Sequence, residues 1–161
     1  DTMNLEARLT QLEDIEAIRQ LKARYCEVCD ANHDPDLILT LFTANGIWEG
    51  DGIGRHAGHQ QIAALFRSFQ KTISFSQHMV QNPIIAVDGN HATGRWYFFG
   101  LFTYYKGQQR RWQAARYHEE YEKVAGVWQI SHLKIVEPVM SARYEQGWRN
   151  GQVPAEKLER E

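Results

Sequence analysis

The chain has 161 residues, with 18 Lys and Arg against 20 Asp and Glu and a formal charge of −2. That length suits one domain, large enough to bury a core without metal or disulfide staples, and 43% hydrophobic with 12% aromatic residues is a globular composition. The balanced charge gives no positive field for nucleic acid, no stretch approaches the roughly eighteen apolar residues of a membrane span, and the polar, acidic start lacks a signal-peptide pattern, so a cytoplasmic protein is expected.

The first segment reads as helix: Leu5, Leu9, Leu12, Ile15, Ile18, Leu21, Tyr25 and Val28 recur at steps of three and four. Thr10-Gln11-Leu12-Glu13 resembles a capping box, which predicts a short leading helix and a longer one over about 11–31. Asp30-Ala31-Asn32-His33-Asp34-Pro35 is a stop and restart, with Asp34 as cap and Pro35 opening a helix to about Phe42. Gly46 to Glu49 reads as a short strand, Gly50-Asp51-Gly52 and Gly54 as turn, and His59 to about Gln70 as a third helix after Gly58. From about residue 73 the period changes to two. Strands are expected over 74–81, 83–88, 91–104, 110–123 and 127–137, joined by turns at Asp88-Gly89-Asn90, Lys106-Gly107-Gln108 and Ala125-Gly126. A polar tail follows over about 141–161. Helices first and an antiparallel sheet after make an α+β chain: a cone-shaped, curved sheet with about three N-terminal helices on its concave face. Such a hollow becomes a pocket when polar groups aim into it.

Cys26 and Cys29 lie inside the helical pattern, away from the helix start that a thioredoxin-type pair needs. Zinc requires two further close ligands, so both read as reduced, buried thiols, which suits the cytosol. His56 and His59 flank Gly58 without a third ligand, and Arg110-Arg111 with Arg116 reads as a solvated strand end. Glu119, Glu120 and Glu122 read as a solvated acidic patch. Neither metal nor cofactor is expected.

Two residues carry candidate chemistry. Asp30 ends the long helix, where the C-terminal dipole disfavours an anion unless a cation-forming partner stands close. His78 lies mid-strand, sharing a face with Ser76 and Val80. A histidine oriented by a carboxylate has one tautomer and can accept a proton; the plainer reading is a core histidine bonded to backbone. Tyr117 alternates with Ala115 and Gln113 towards the same hollow, while Trp48 and Trp96 read either as core rings or as ligand platforms.

Glu13 to Tyr25 with Asp30, Asp36 to Thr43 followed by Gly46-Ile47-Trp48, Gln77-His78-Met79-Val80-Gln81-Asn82-Pro83, and Gly126 to Ile130 together resemble the SnoaL-like and scytalone dehydratase-like group of the nuclear transport factor 2-like superfamily. The resemblance runs over about 10–140 and implies a single domain of the cystatin-like half-barrel kind. Scytalone dehydratase, hexachlorocyclohexane dehydrochlorinase and bile acid 7α-dehydratase, eliminating enzymes without metal or cofactor, are similar in polar placement. Their helix-end Asp corresponds to Asp30 and their strand His to His78. Tyr25 matches a pocket tyrosine of the bile acid enzyme, and Trp96 stands near the point where scytalone dehydratase has a second histidine.

The resemblance implies a cofactor-independent, dehydratase-like lyase acting on a small hydrophobic cyclic substrate, whether alicyclic, steroid-like or polyketide. Asp30, His78 and Tyr25 would be catalytic, and Trp48, Tyr117 and Trp96 substrate-binding. An isomerase or polyketide cyclase would use the same pocket. A non-catalytic ligand-binding domain, like the small subunits of ring-hydroxylating dioxygenases, is the alternative. A homo-oligomer, dimer or trimer, is expected in either case, because the sheet face bearing Trp112, Ala114, Arg116 and His118 needs cover.

Overall fold

A computed structural model describes residues 4–141, so the expected tail lies almost wholly outside the described residues. Helix α1 is continuous over Leu5–Asp30. Its N-cap is Asn4, whose Oδ1 accepts the Ala7 N–H at 2.8 Å. The expected break at Thr10 is absent, because no glycine or proline interrupts the ladder and Thr10 simply lies inside the helix. The apolar stripe overhangs the sheet at first, leaving Leu5, Leu9 and Leu12 exposed, and its buried part starts at Asp14 and runs through Ile18, Leu21, Lys22 and Tyr25 to Cys29.

After α1 the Asp34 carboxylate accepts the Asp36 and Leu37 N–H groups at 2.9 and 3.0 Å, the cap expected of it. The helix expected there is only a 3-10 turn, Ile38–Leu41, before strand β1 over Phe42–Gly50. Pairing of Phe42 with Ile130 draws that segment into the sheet before a second helical turn can form. Gly52 (φ +80) and Gly54 (φ +111) turn the chain into β2, Gly54–Ala57, a short strand where only turn was expected. Helix α2 spans Gly58–Thr72.

Four long strands follow: β3 (Ile73–Asp88), β4 (His91–Tyr104), β5 (Gln109–Val124) and β6 (Val127–Ser141). The two strands expected before residue 88 are one, bent where Asn82 takes φ 52 and the register slips between Gln81 and Ile84. The sheet order is β2-β1-β6-β5-β4-β3, antiparallel throughout except for β1 beside β6. The architecture is thus the α+β arrangement expected: a six-stranded, curved sheet that does not close, with two α-helices. Among the described residues no helix is long and apolar enough to cross a membrane.

One buried ion pair ties α1 to the sheet. Period two along β5 turns Ala115, Tyr117, Glu119 and Tyr121 inward. Glu119 is therefore not part of a solvated acidic patch; only Glu120 and Glu122, on the opposite face, escape burial. Lys22 Nζ lies 2.5 Å from Glu119 Oε1, with both side chains fully buried. The Tyr121 hydroxyl donates to the other oxygen of Glu119, and Trp96 Nε1–H donates to that hydroxyl at 3.0 Å. The ammonium also sits 3.3 Å from the Tyr117 ring centroid and 4.4 Å from that of Tyr25.

Removing one partner of such a pair strands a buried charge. Lys22→Met is expected to destabilise the fold by about 3–5 kcal/mol, whereas Lys22→Met with Glu119→Met recovers most of that loss. Urea unfolding of the three proteins checks this; equal losses in the single and double variants would contradict it.

Candidate active site

Asp30 is the last residue of α1, and the neighbouring Ala31 N–H still bonds back to Glu27 O at 2.8 Å. Its carboxylate therefore faces outward from a helix end whose own carbonyls repel it. Donors from β3 offset the repulsion. The His78 backbone N–H reaches Oδ2 at 2.9 Å and Oδ1 at 3.1 Å, and His78 Nδ1 reaches Oδ1 at 2.6 Å. The Ser76 hydroxyl stands 3.2 Å from both Asp30 Oδ1 and Cys29 O. A carboxylate only accepts, so Nδ1 must carry the hydrogen, and the neutral imidazole keeps its lone pair on Nε2.

His78 borders a cavity of about 260 Å³ enclosed by α1, β1, α2 and the long strands. Larger hollows of about 550–660 Å³ are more open grooves, and the paired carboxylate in two of them, Asp14, meets Lys123 and Trp128 instead of a histidine. The position opposite His78 in the β3–β4 register is Gly100. A Cβ there would come within 2.6 Å of Phe98 and 2.7 Å of Phe102. Its absence lets both rings close over His78, at centroid distances of 5.1 and 5.3 Å. The imidazole is thereby held by the Asp30 carboxylate on one side and by these two phenylalanine rings on another.

Tyr25, Trp48 and Tyr117 line the same cavity as His78. The Tyr25 hydroxyl accepts Trp48 Nε1–H at 2.9 Å, and its ring meets that of Tyr117 edge to face at 6.2 Å. Burial above all, with the neighbouring acidic groups, holds the hydroxyls of Tyr25 and Tyr117 well above the usual tyrosine range. Both are proton-bearing donors, not bases. Trp96 is not among the lining residues. Its indole N–H is spent on Tyr121, so the structure does not bring it to the cavity with the others.

Sequence reasoning gave no role to His33. Asn32 (φ 67) and His33 (φ 52) both take left-handed backbone, and the His33 N–H returns to Cys29 O at 3.1 Å. That curl carries the imidazole inward until it is 4% exposed, with its ring against Phe66, Phe69 and His78. Asn32 just past a helix end is a weak signal for such a turn, but nothing in the pattern says that the next side chain points inward. Burial, and then the proximity of His78, push the His33 pKa down to about 4.

The SnoaL-like domain model matches residues 10–134. The chain belongs to the SnoaL-like domain family. Among solved structures, this SnoaL-like chain is similar to a scytalone dehydratase candidate from Novosphingobium aromaticivorans, with TM-score 0.76 and 18% identity over 84% of this chain and 91% of that one. It is also similar to the hexachlorocyclohexane dehydrochlorinase LinA-type3 of Novosphingobium barchaimii, with TM-score 0.73 and 23% identity over 80% and 88%. A third is a cystatin-like fold of unknown function from Nostoc punctiforme, with TM-score 0.66 and 22% identity over 76% and 90%. At these identities the likeness is one of fold.

The buried neutral His33 sets a pH dependence. The unfolded chain protonates His33 near 6.5 and the folded chain only near 4. The stability that the neutral ring contributes is complete above 6.5 and is lost as pH falls from 6.5 towards 4. Between pH 7.5 and 5 this is on the order of 1–2 kcal/mol. Urea midpoints of wild type and His33→Gln at both pH values check it: wild type should lose more on acidification, and parallel losses would contradict the assignment.

Proposed function

We propose that this SnoaL-like chain is a cofactor-independent lyase of dehydratase type, with His78 as the base and Asp30 as its orienting carboxylate. The observation that carries this reading is the single bond between His78 Nδ1 and Asp30, 2.6 Å long, which leaves Nε2 free beside an aromatic cavity. Nε2 takes a proton from a carbon next to a carbonyl or leaving group. The C–H electron pair forms the new double bond, and the leaving group departs with the pair of the bond that breaks. Tyr25 and Tyr117, kept protonated by burial, supply hydrogen bonds to the departing hydroxyl or developing oxyanion. Trp48 and the phenylalanine rings exclude water.

Two of the similar structures carry the names of eliminating enzymes, a dehydratase and a dehydrochlorinase, which favours elimination over other uses of the same base. A cavity of about 260 Å³ is small. Ligand sites usually span roughly 300–1,000 Å³, so a compound of one or two rings suits it better than a steroid. An isomerase or cyclase would begin with the same proton abstraction, and product identity separates them. A purely ligand-binding role is disfavoured by His78 being held by a carboxylate instead of by backbone alone.

Screening cyclic β-hydroxyketones and chlorinated rings for double-bond formation or chloride release tests the proposal. With a turned-over substrate, His78→Ala should lower kcat/KM by roughly 10²–10⁴-fold. Asp30→Asn should lose much of the same factor through the wrong tautomer. Tyr25→Phe should retain the pocket and lose mainly kcat. Unchanged turnover in both His78→Ala and Asp30→Asn would overturn the assignment.

A further inference from the structure

Three side chains at one end of the cavity share a property that proton transfer does not use. Cys29, on the last turn of α1, and His33, four residues later, face each other across the curl that closes the helix. His78 comes to them from β3. One donor atom from each of the three lies within 4.8 Å of the other two. Donors on a single tetrahedral zinc ion, with bonds of about 2.0–2.3 Å, stand roughly 3.3–3.6 Å apart, so small side-chain rotations close the set. All three border the cavity. The His33 ring makes no hydrogen bond among the described residues, so its donor nitrogen has no protein partner to lose.

From this arrangement we propose that Cys29, His33 and His78 form a binding site for a thiolate- and imidazole-preferring cation, of which Zn²⁺ is the probe. One thiolate and two imidazoles make a donor set that suits zinc and disfavours magnesium or calcium. The surroundings fit as well. Asp30 holds His78 Nδ1 at 2.6 Å, so Nε2 is the donor left for the ion, and a carboxylate behind a ligating histidine strengthens and orients it. The fourth coordination position opens into the cavity, where water or a ligand heteroatom completes it. Binding breaks the Cys29 S–H bond: the sulfur pair goes to the cation and one proton goes to solvent for each ion bound.

A cation on Nε2 occupies the lone pair that proton abstraction needs. Zinc and turnover are then mutually exclusive, and the pocket is open to regulation by free zinc. That consequence rests on the reading of His78 as a base; the binding itself does not.

The experiment uses the full chain without substrate. Zn²⁺-loaded wild type is measured by X-ray absorption, and Co²⁺ is titrated in as an optical probe. One sulfur near about 2.3 Å and two imidazole nitrogens near about 2.0 Å are expected, at one ion per chain. Co²⁺ should give a thiolate-to-metal charge-transfer band that Cys29→Ser abolishes. His33→Gln should retain the band with affinity lowered at least about tenfold, and Asp30→Asn should lower it by about 10–100-fold. Circular dichroism shows that each variant is folded, and the absorption measurement on wild type needs no variant. A shell without sulfur, a shell with two sulfurs, or a charge-transfer band that survives Cys29→Ser would overturn the site. Zinc binding with no effect on turnover would instead count against His78 as the base.

Discussion

The arrangement depends on the carboxylate of Asp30. It is placed where an α-helix least favours an anion, and it is held there by donors from a strand that is 48 residues away along the chain. Two of those donors belong to one residue: the backbone N–H and the ring of His78. The contact therefore sets the distance between helix and strand and the orientation of the imidazole together. Because a carboxylate cannot donate, it also decides which ring nitrogen keeps its lone pair. The cavity, the neutral tyrosines and the buried His33 belong with it because His78 lines the same hollow as they do.

The rest of the fold serves to hold α1 at the right height over the sheet. Lys22 and Glu119, both fully buried, pin the middle of the helix to β5, and the ammonium is shared between its carboxylate and the faces of Tyr117 and Tyr25. A buried ion pair is an expensive anchor, since desolvation cancels most of its attraction. What it supplies here is position. The same two tyrosines line the cavity, so the anchor and the cavity share Tyr25 and Tyr117. Gly100 makes the complementary adjustment on the other side of the site, where a missing Cβ lets two phenylalanine rings pack on His78.

Much of this was legible in the sequence. The switch from a helical to a two-residue period near residue 73 and the glycine turns after it gave the order of elements, because both signals are local. Asp30 and His78 stood out as polar residues in apolar patterns, and they do meet. What stayed hidden depended on tertiary partners. Glu119 reads as one of several surface acids until β5 pairing turns it inward towards Lys22, a residue 97 positions away. Trp96 shares its strand face with Phe98, yet its indole turns to Tyr121 and not to the cavity. His33 enters the pocket through two consecutive left-handed residues, a conformation that side-chain patterning does not encode. Thr10 and Glu13 have the spacing of a capping box but cap nothing, because no residue on either side stops the helix.

The central claim is that Asp30 fixes His78 in the tautomer with hydrogen on Nδ1 and a bare Nε2. Free histidine prefers the opposite tautomer, so the claim is open to direct measurement by ¹⁵N chemical shifts of the His78 ring at a pH where it is neutral. Wild type is expected to show a protonated Nδ1 and an unprotonated Nε2, and Asp30→Ala is expected to revert to hydrogen on Nε2. A wild-type His78 with its hydrogen on Nε2 would leave no base facing the cavity and would contradict the account.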